Sequence, residues 1–164
     1  MRAKCLAVFA LAATAMCGPV FAKTVIGWVD RVKLYPGGIA LHARMDSGAQ
    51  GSSLRADSMQ RFQRGGQPWL RLEIVDRRGR PHTLEAPVAR HIRIKRHTQD
   101  SARRPVIDVG LCVGAVYKEV QASVTVRSHL NYPVLVGRDF LAGDFIIDSG
   151  RTFTARPHCK STAR

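Results

Sequence analysis

Apolar and polar residues alternate along much of the chain with the period of two that is typical of half-buried β-strands. The alternation is clearest in "TVIGWVDRVKLY" (24–35), "GIALHARMD" (38–46) and "PWLRLEIVD" (68–76). Basic and turn-forming residues at 77–81 then separate the last of these from "HTLEAPVARHIRIK" (82–95). The pattern predicts strands in all four stretches, with 68–76 and 82–95 forming a hairpin that has a basic tip.

The second half of the chain continues this organisation. Residues 96–105, "RHTQDSARRP", are polar and without period, which predicts a loop. Residues 106–126 predict two strands, and "YPVLVG" (132–137) predicts a short buried strand. "RDFLAG" (138–143) predicts a helical turn and 144–155 a last strand. So many short strands, with one short helix near the C-terminus, predict an all-β fold closed into a barrel.

The N-terminal residues 1–22 have the pattern of a secretory signal peptide: a basic start, an uncharged apolar run at 6–16, and small or aliphatic residues at the end. That run is shorter than the roughly 20 residues that a transmembrane helix needs. We therefore expect cleavage after residue 22, a single domain at 23–164, a periplasmic or secreted location and no transmembrane anchor. Lipid attachment at Cys17 is a weaker alternative, because Met16 is bulky where a small residue is usual.

The charge balance is strongly basic, with 26 Lys and Arg against 12 Asp and Glu and a formal net charge of +14. This balance favours an acidic partner such as nucleic acid, anionic lipid, a cell-wall polymer or an acidic peptide. A basic surface that only keeps the protein soluble explains it equally well. The strands lack the aromatic and basic pattern of an oligonucleotide-binding sheet, so we expect no nucleic acid partner.

Two cysteines, Cys112 and Cys159, follow the predicted signal peptide. An exported protein folds in an oxidising compartment, where disulfides persist. A Cys112–Cys159 disulfide and two free thiols are both open alternatives.

A single acid, Asp46, ends the second predicted strand and is followed by Ser47, Gly48 and Ala49. These residue types form solvated turns, so a plain turn is one interpretation. The other is half of a catalytic carboxylate pair, in which one acid activates water and the other donates a proton to an amide carbonyl. Small residues suit that second role, because Gly48 permits close backbone approach and the Ser47 hydroxyl can hydrogen-bond to a neighbouring loop.

The whole pattern resembles a retropepsin-type aspartic protease subunit, and more closely the RimB-like retropepsin-like aspartic endopeptidases, a group also labelled ATP-dependent zinc proteases. The resemblance begins with Gly27-Trp28 and the loop Asp46-Ser47-Gly48-Ala49, followed by Ser52, Leu54 and Ala56. It continues with Arg-Pro-Val-Ile at 104–107 and ends with "LVGRDFLAGDFIID" (135–148). It covers about residues 25–155.

The resemblance implies a closed barrel of retropepsin type with one catalytic aspartate, Asp46, in each chain. It implies that Ser47, Gly48 and Ala49 complete the active-site loop, and that Gly137 and Arg138 belong to an element packed behind it. Ser52, just after the loop, is expected to bond the backbone there. A single half-site demands a homodimer with two-fold symmetry. The expected substrate is a peptide or protein, and the basic surface favours an acidic substrate. We expect a flap over the cleft at 96–105.

A second Asp-Ser-Gly, at 148–150, raises the alternative of two catalytic motifs in one chain. It follows the predicted helix, and "RTFTARPHC" after it contains no further apolar strand with a Gly-Arg element. We therefore interpret Asp148 as part of a structural turn.

Other catalytic chemistries find no motif in the sequence. The sequence lacks the zinc-protease motif His-Glu-x-x-His, the nucleotide-binding motif Gly-x-x-x-x-Gly-Lys-[Ser/Thr] and the serine-hydrolase motif Gly-x-Ser-x-Gly. We therefore expect no metal, no cofactor and no serine nucleophile. One alternative to a peptidase stays open. It is a catalytically silent, basic β-barrel module that binds a peptide, an anionic polymer or a partner enzyme.

Overall fold

The computed structural model describes residues 22–94, 102–126 and 131–159, so the predicted signal peptide lies outside it except for Ala22. In chain order, the elements within these ranges are β1 (Thr24–Tyr35), β2 (Ile39–Met45), β3 (Ser52–Arg55), β4 (Ser58–Arg64), β5 (Gln67–Val75), β6 (Pro81–Pro87), β7 (Arg90–Ile94), β8 (Ala102–Val113), β9 (Val116–Thr125), β10 (Val134–Val136), α1 (Arg138–Leu141) and β11 (Phe145–Thr152).

Six strands close into a mixed barrel, in the order β1-β2-β10-β3-β9-β8, and β8 pairs with β1 to complete the circle. Strand β11 adds to β1 outside the circle, and β7 adds to β8. The prediction of an all-β closed barrel with one short helix near the C-terminus is thus confirmed. Closure leaves few exposed strand edges within the described residues, which is the usual advantage of a barrel.

Alternation along the strands produces the barrel core. In β2, Ile39, Leu41, Ala43 and Met45 are all buried, while the residues between them are partly or fully exposed. Helix α1 closes the core by burying Phe140, which stacks on another aromatic ring with a centroid separation of 5.8 Å. The sequence pattern and the observed core agree at these positions.

Strand β10 lies between β2 and β3 and positions the loop that joins them. It runs parallel to β2, with Val136 opposite Met45, and antiparallel to β3, with Leu135 opposite Ser53. The chain therefore leaves β2 and β10 at the same end of the sheet. The residues after Met45 and those after Val136 are brought together by this arrangement.

A separate three-stranded sheet, β4-β5-β6, lies between β3 and β7 in the chain. The predicted hairpin of 68–76 with its basic tip is present as β5 and β6. The prediction of one continuous strand over 82–95 is wrong, because the chain changes sheets at 88–89. There Val88 N–H donates to the Pro68 carbonyl at 2.9 Å, and Ala89 N–H donates to the Val106 carbonyl at 2.9 Å.

The predicted loop at 96–105 is shorter than expected. Residues 102–105 belong to β8, where Arg103 and Arg104 pair with Arg93 and Ile92 of β7. The remaining part of the expected flap, 96–101, lies outside the described residues.

The last described residues, 153–159, are tied to the barrel at two places. A disulfide joins Cys112 of β8 to Cys159. The fully buried carboxylate of Asp30 accepts hydrogen bonds from the backbone N–H of Thr154 at 3.1 Å and of Ala155 at 3.0 Å. A buried carboxylate is stable only when its oxygens are paired in this way, so these bonds hold 153–159 against β1.

Candidate active site

The loop that carries Asp46 begins where β2 ends. The backbone N–H of Asp46 donates to the carbonyl oxygen of Val136 at 2.9 Å, which extends the β2–β10 pairing by one residue. The chain then turns, and Ala49 N–H donates back to the Asp46 carbonyl at 3.2 Å. The turn is therefore anchored on one side by β10, the strand between β2 and β3.

The Asp46 carboxylate is oriented by its own loop. Its Oδ1 accepts from the backbone N–H of Gly48 at 3.0 Å and of Ala49 at 3.2 Å. Its Oδ2 pairs with the guanidinium of Arg44 at 2.8 Å, and the aspartate side chain is 25% exposed. The carboxylate is thus held in one orientation and remains accessible from solvent.

Arg138 braces the same loop from the other side. Its Nη1 donates to the carbonyl oxygen of Ser47 at 2.7 Å and of Gly48 at 3.0 Å. Its backbone N–H donates to the Ala49 carbonyl at 2.9 Å. Because Nη1 carries two N–H groups held in the guanidinium plane, this one nitrogen can donate to two successive carbonyls at once.

Ser52 connects the base of the loop to the start of α1. Its hydroxyl donates to Asp139 Oδ1 at 2.9 Å and accepts from the backbone N–H of Gly137 at 3.1 Å. The serine is only 4% exposed, so both bonds are shielded from water. Gly137 packs so closely here that a Cβ on it would lie 2.6 Å from the carbonyl oxygen of Gly51.

The predicted site residues therefore fall into one group in space. Asp46, Ser47, Gly48 and Ala49 form the loop, and the structure places Ser52, Gly137 and Arg138 directly beneath it. Asp148 lies instead within β11, where its Oδ1 accepts from Gly150 N–H at 2.9 Å. Asp148 is paired with Gly27 of β1 where the register becomes irregular, so the prediction of a structural turn is wrong: the motif lies in an irregular part of a strand.

Two residues of this arrangement were not predicted from the sequence. Arg44 precedes Asp46 by two positions, so the two side chains lie on the same face of an extended segment, and this spacing is the signal that could have indicated the pair. Asp139 comes from the helix and meets Ser52 across 87 positions of sequence. Nothing local in the sequence indicates that contact.

Within residues 22–94, 102–126 and 131–159, no three His, Cys, Asp or Glu side chains are grouped so that they could hold a metal ion. In the same part of the chain, no helix is long and apolar enough to cross a membrane.

A closed barrel that carries Asp-Ser-Gly-Ala on a loop beside a Gly-Arg helix has the arrangement of a retropepsin-like protein. The family model described as retropepsin-like aspartic endopeptidase RimB matches residues 25–158. The chain belongs to this RimB-like family.

Curated relatives match over most of this chain but over little of their own length. A probable alpha-L-glutamate ligase from Shewanella pealeana is 32% identical over 117 residues, which is 70% of this chain and 26% of the relative. Another from Desulfotalea psychrophila is 31% identical over 132 residues, which is 77% of this chain and 28% of the relative. The chain thus spans about a quarter of the length of these relatives.

A solved structure has the same fold. It is the crystal structure of a Legionella pneumophila protein of unknown function from the group termed DUF785. The TM-score is 0.69 and the sequence identity is 25%, over 82% of this chain and 100% of that chain.

Proposed function

We propose that this protein is an exported aspartic endopeptidase whose active unit is a homodimer, with Asp46 of each subunit forming the catalytic pair. The observation that carries the proposal is the Asp46 carboxylate, accessible and oriented by the N–H groups of Gly48 and Ala49. The family is described as aspartic endopeptidases, which supports the reaction class. The described residues of one chain contain one such loop, and a carboxylate pair therefore needs a second copy related by two-fold symmetry.

The chemistry follows from two carboxyls that share one proton. Two like charges in contact cannot both ionise easily, so the pair titrates as a unit with separated apparent pKa values. The ionised member removes a proton from water, whose oxygen attacks the amide carbonyl carbon, and the protonated member gives its proton to the carbonyl oxygen. The tetrahedral diol then returns a proton to the second carboxylate as the C–N bond breaks, and the first carboxyl protonates the leaving nitrogen. Both acids end in their starting state.

The supporting residues have a clear part in this chemistry. General acid–base catalysis requires the carboxyls to stay within hydrogen-bond reach of the water and the amide. The bonds from Arg138 to Ser47 and Gly48 restrict movement of the loop. The bond from Gly137 to Ser52 fixes the chain just after the loop. These residues position Asp46 and do not themselves touch the reacting atoms.

An acidic peptide or protein is the proposed substrate class. After removal of residues 1–22 with Arg2 and Lys4, 24 basic residues against 12 acids leave a net charge of +12, which would attract it. The curated relatives that match over about a quarter of their own length are named probable alpha-L-glutamate ligases, and this name supports a substrate that contains glutamate. A comparison of cleavage of two peptides that differ only in Glu-to-Gln replacements would test this preference.

Export is supported by the pattern of residues 1–22 and by the disulfide between Cys112 and Cys159. Mass spectrometry of the protein recovered after expression of the full chain should find an N-terminus at Lys23. Recovery of the intact N-terminus from the cytoplasmic fraction would contradict export.

The shared pair is tested by mixing subunits. An excess of Asp46→Asn protein, equilibrated with the parent protein, should reduce peptide cleavage, because each mixed dimer contains only one carboxylate. An equal excess of Asp148→Asn protein is the matched control and should not inhibit. If excess Asp46→Asn leaves the activity of the parent unchanged while subunits exchange, the pair is not shared between chains.

A further inference from the structure

A cavity of about 410 Å³, apart from the Asp46 loop, is lined in half by cations from separate parts of the chain. Arg31 and Lys33 come from β1, Arg77 from the tip of the β5–β6 hairpin, and Arg156 from the C-terminal segment. The volume lies within the range of about 300–1,000 Å³ that is usual for ligand sites. We call this cavity the basic pocket.

The basic pocket has no acid of its own. Four of its eight lining residues are Arg or Lys, and the other four are apolar. The acids closest in sequence bind elsewhere. Both oxygens of Asp30 accept backbone N–H groups, and Asp76 pairs with Arg80 at 2.8 Å and with His82 at 3.1 Å. Four cations that face one cavity without an acid in its wall would bind an anion favourably.

Other contacts hold the walls of the pocket in place before any ligand arrives. Arg31 donates to the Phe153 carbonyl at 2.9 Å, and its guanidinium carbon lies 5.0 Å from the centre of the Phe153 ring. The backbone N–H of Arg77 donates to the Ala40 carbonyl at 3.0 Å. The Cys112–Cys159 disulfide holds the segment that carries Arg156. Binding to a preorganised site costs less conformational entropy than binding to a mobile one.

The positive charges of the basic pocket affect the pKa of His42, a neighbouring residue on β2. It lies opposite Arg31 in the β1–β2 register. Burial lowers the pKa of His42, and the positive charges of Arg77 and Arg31 lower it further. The two arginines therefore act together on one neighbouring group, as expected if their charges converge.

The basic pocket is well separated from Asp46 along the barrel wall. Ala40, which lines it, precedes Asp46 by six positions on β2, and at about 3.4 Å per residue the distance along the strand is roughly 20 Å. An extended peptide needs about six residues to cover that length. One substrate chain could reach both places.

We propose that the basic pocket is an exosite that binds successive side-chain carboxylates of an acidic peptide. The apolar wall suits the methylene groups of glutamate side chains, and the four cations suit their carboxylates. The role as a substrate exosite rests on the proposed endopeptidase function. The binding of the acidic peptide itself does not.

The test measures binding separately from cleavage. Fluorescence anisotropy follows a labelled hexaglutamate peptide binding to the Asp46→Asn protein, which cannot cleave it under the proposed mechanism. Adding Lys33→Gln and Arg77→Gln should weaken the affinity by about tenfold or more, because each removes a charged partner of a carboxylate. The matched control adds Arg93→Gln and Arg151→Gln, which remove the same charge from exposed positions on β7 and β11. The control should change the affinity less than about twofold at physiological salt, because neither arginine lines the basic pocket and exposed charges are screened.

Each result has a defined meaning. Hexaglutamate that binds the parent and control proteins, but not the pocket variant, supports the exosite. An affinity that is unchanged in the pocket variant, or that falls equally in the control, overturns it. Inorganic phosphate that displaces the peptide more effectively than glutamate at equal concentration also overturns it, and assigns the pocket to phosphate. Normal hexaglutamate binding by a protein without peptidase activity would reject the proposed function and leave the binding site intact.

Discussion

Arg138 and Ser47, which lie 91 positions apart in the chain, are joined by a 2.7 Å hydrogen bond from the guanidinium to the Ser47 carbonyl oxygen. The bond connects the first residue of helix α1 to the loop that carries Asp46. With the second bond to Gly48, it makes the position of the loop dependent on the helix. This dependence leads to a direct prediction for catalysis.

Arg138→Ala should lower kcat/KM by about tenfold to a hundredfold, because small displacements of a catalytic group are costly. The free energy of unfolding should fall by only about 0.5–1.5 kcal/mol, since the lost bonds are exposed to solvent. Arg138→Lys should restore activity only partly, because the donors of a flexible ammonium group are not held in a fixed plane as those of Nη1 are. Steady-state kinetics and urea unfolding measure the two effects. Full activity in Arg138→Ala would show that the loop keeps its position without the arginine.

Ser52→Ala should destabilise the protein by about 1–3 kcal/mol, because it leaves the buried Gly137 N–H without its acceptor. Ser53→Ala is the matched control: it makes the same chemical change at the next residue, which is half-buried, and should cost less than about 0.5 kcal/mol. Urea unfolding of the two variants measures the difference. Equal losses would mean that the bond from Gly137 to Ser52 contributes little.

Asp76 should make the stability of the protein depend on pH. A backbone hydrogen bond from Arg80 lowers its pKa well below the ordinary value of 3.8. Side-chain bonds from His82 and Arg80 and a backbone bond from Arg78 lower it further. A carboxyl whose pKa is lowered by folding stabilises the protein above the unfolded-state pKa and loses this effect as the pH falls through the folded-state pKa. Asp76→Asn should therefore lower the melting temperature at neutral pH, and the difference from the parent should shrink below about pH 3.8.

Asp108→Asn is the matched control for this measurement, because Asp108 is exposed on β8. It should leave the melting temperature close to that of the parent throughout. A difference between Asp76→Asn and the parent that stays constant down to strongly acidic pH would rule out the assigned pKa direction.

Replacing both Cys112 and Cys159 with Ser should reduce the free energy of unfolding by about 2–4 kcal/mol, because the bond closes a loop with a sequence separation of 47. The parent protein treated with reductant should behave in the same way. Denaturant unfolding under oxidising and reducing conditions measures both. Identical curves for the oxidised parent and the double variant would show that the disulfide does not form in solution.

Much of the barrel and of the site was predictable, because the relevant signals are local. Alternation in β2 identifies its core face, and the small residues after Asp46 indicate a tight loop. The helical turn was predicted from "RDFLAG" (138–143), and the resemblance of "LVGRDFL" to the family placed Gly137 and Arg138 behind the loop. Each of these signals lies within a few consecutive residues.

The remaining features depend on contacts between distant residues. Strand β4 was missed because "SMQRFQR" is largely polar and forms no fully buried face. The break between β6 and β7 was missed because both segments are strand-like and only their hydrogen-bond partners differ. The basic pocket combines positions 31, 33, 77 and 156, and only Arg77 belongs to one of the densest basic stretches of the sequence, 76–80 and 90–97.

The most direct test of the central proposal is peptide-bond cleavage by the protein purified after expression of the full chain. A diverse peptide mixture would be incubated from acidic to neutral pH, with Asp46→Asn in parallel and Asp148→Asn as the matched control. We expect cleavage by the parent and by Asp148→Asn, and a loss of about three orders of magnitude or more in Asp46→Asn. A folded parent that cleaves no peptide at any pH, or an Asp46→Asn variant as active as the parent, would contradict the proposed function.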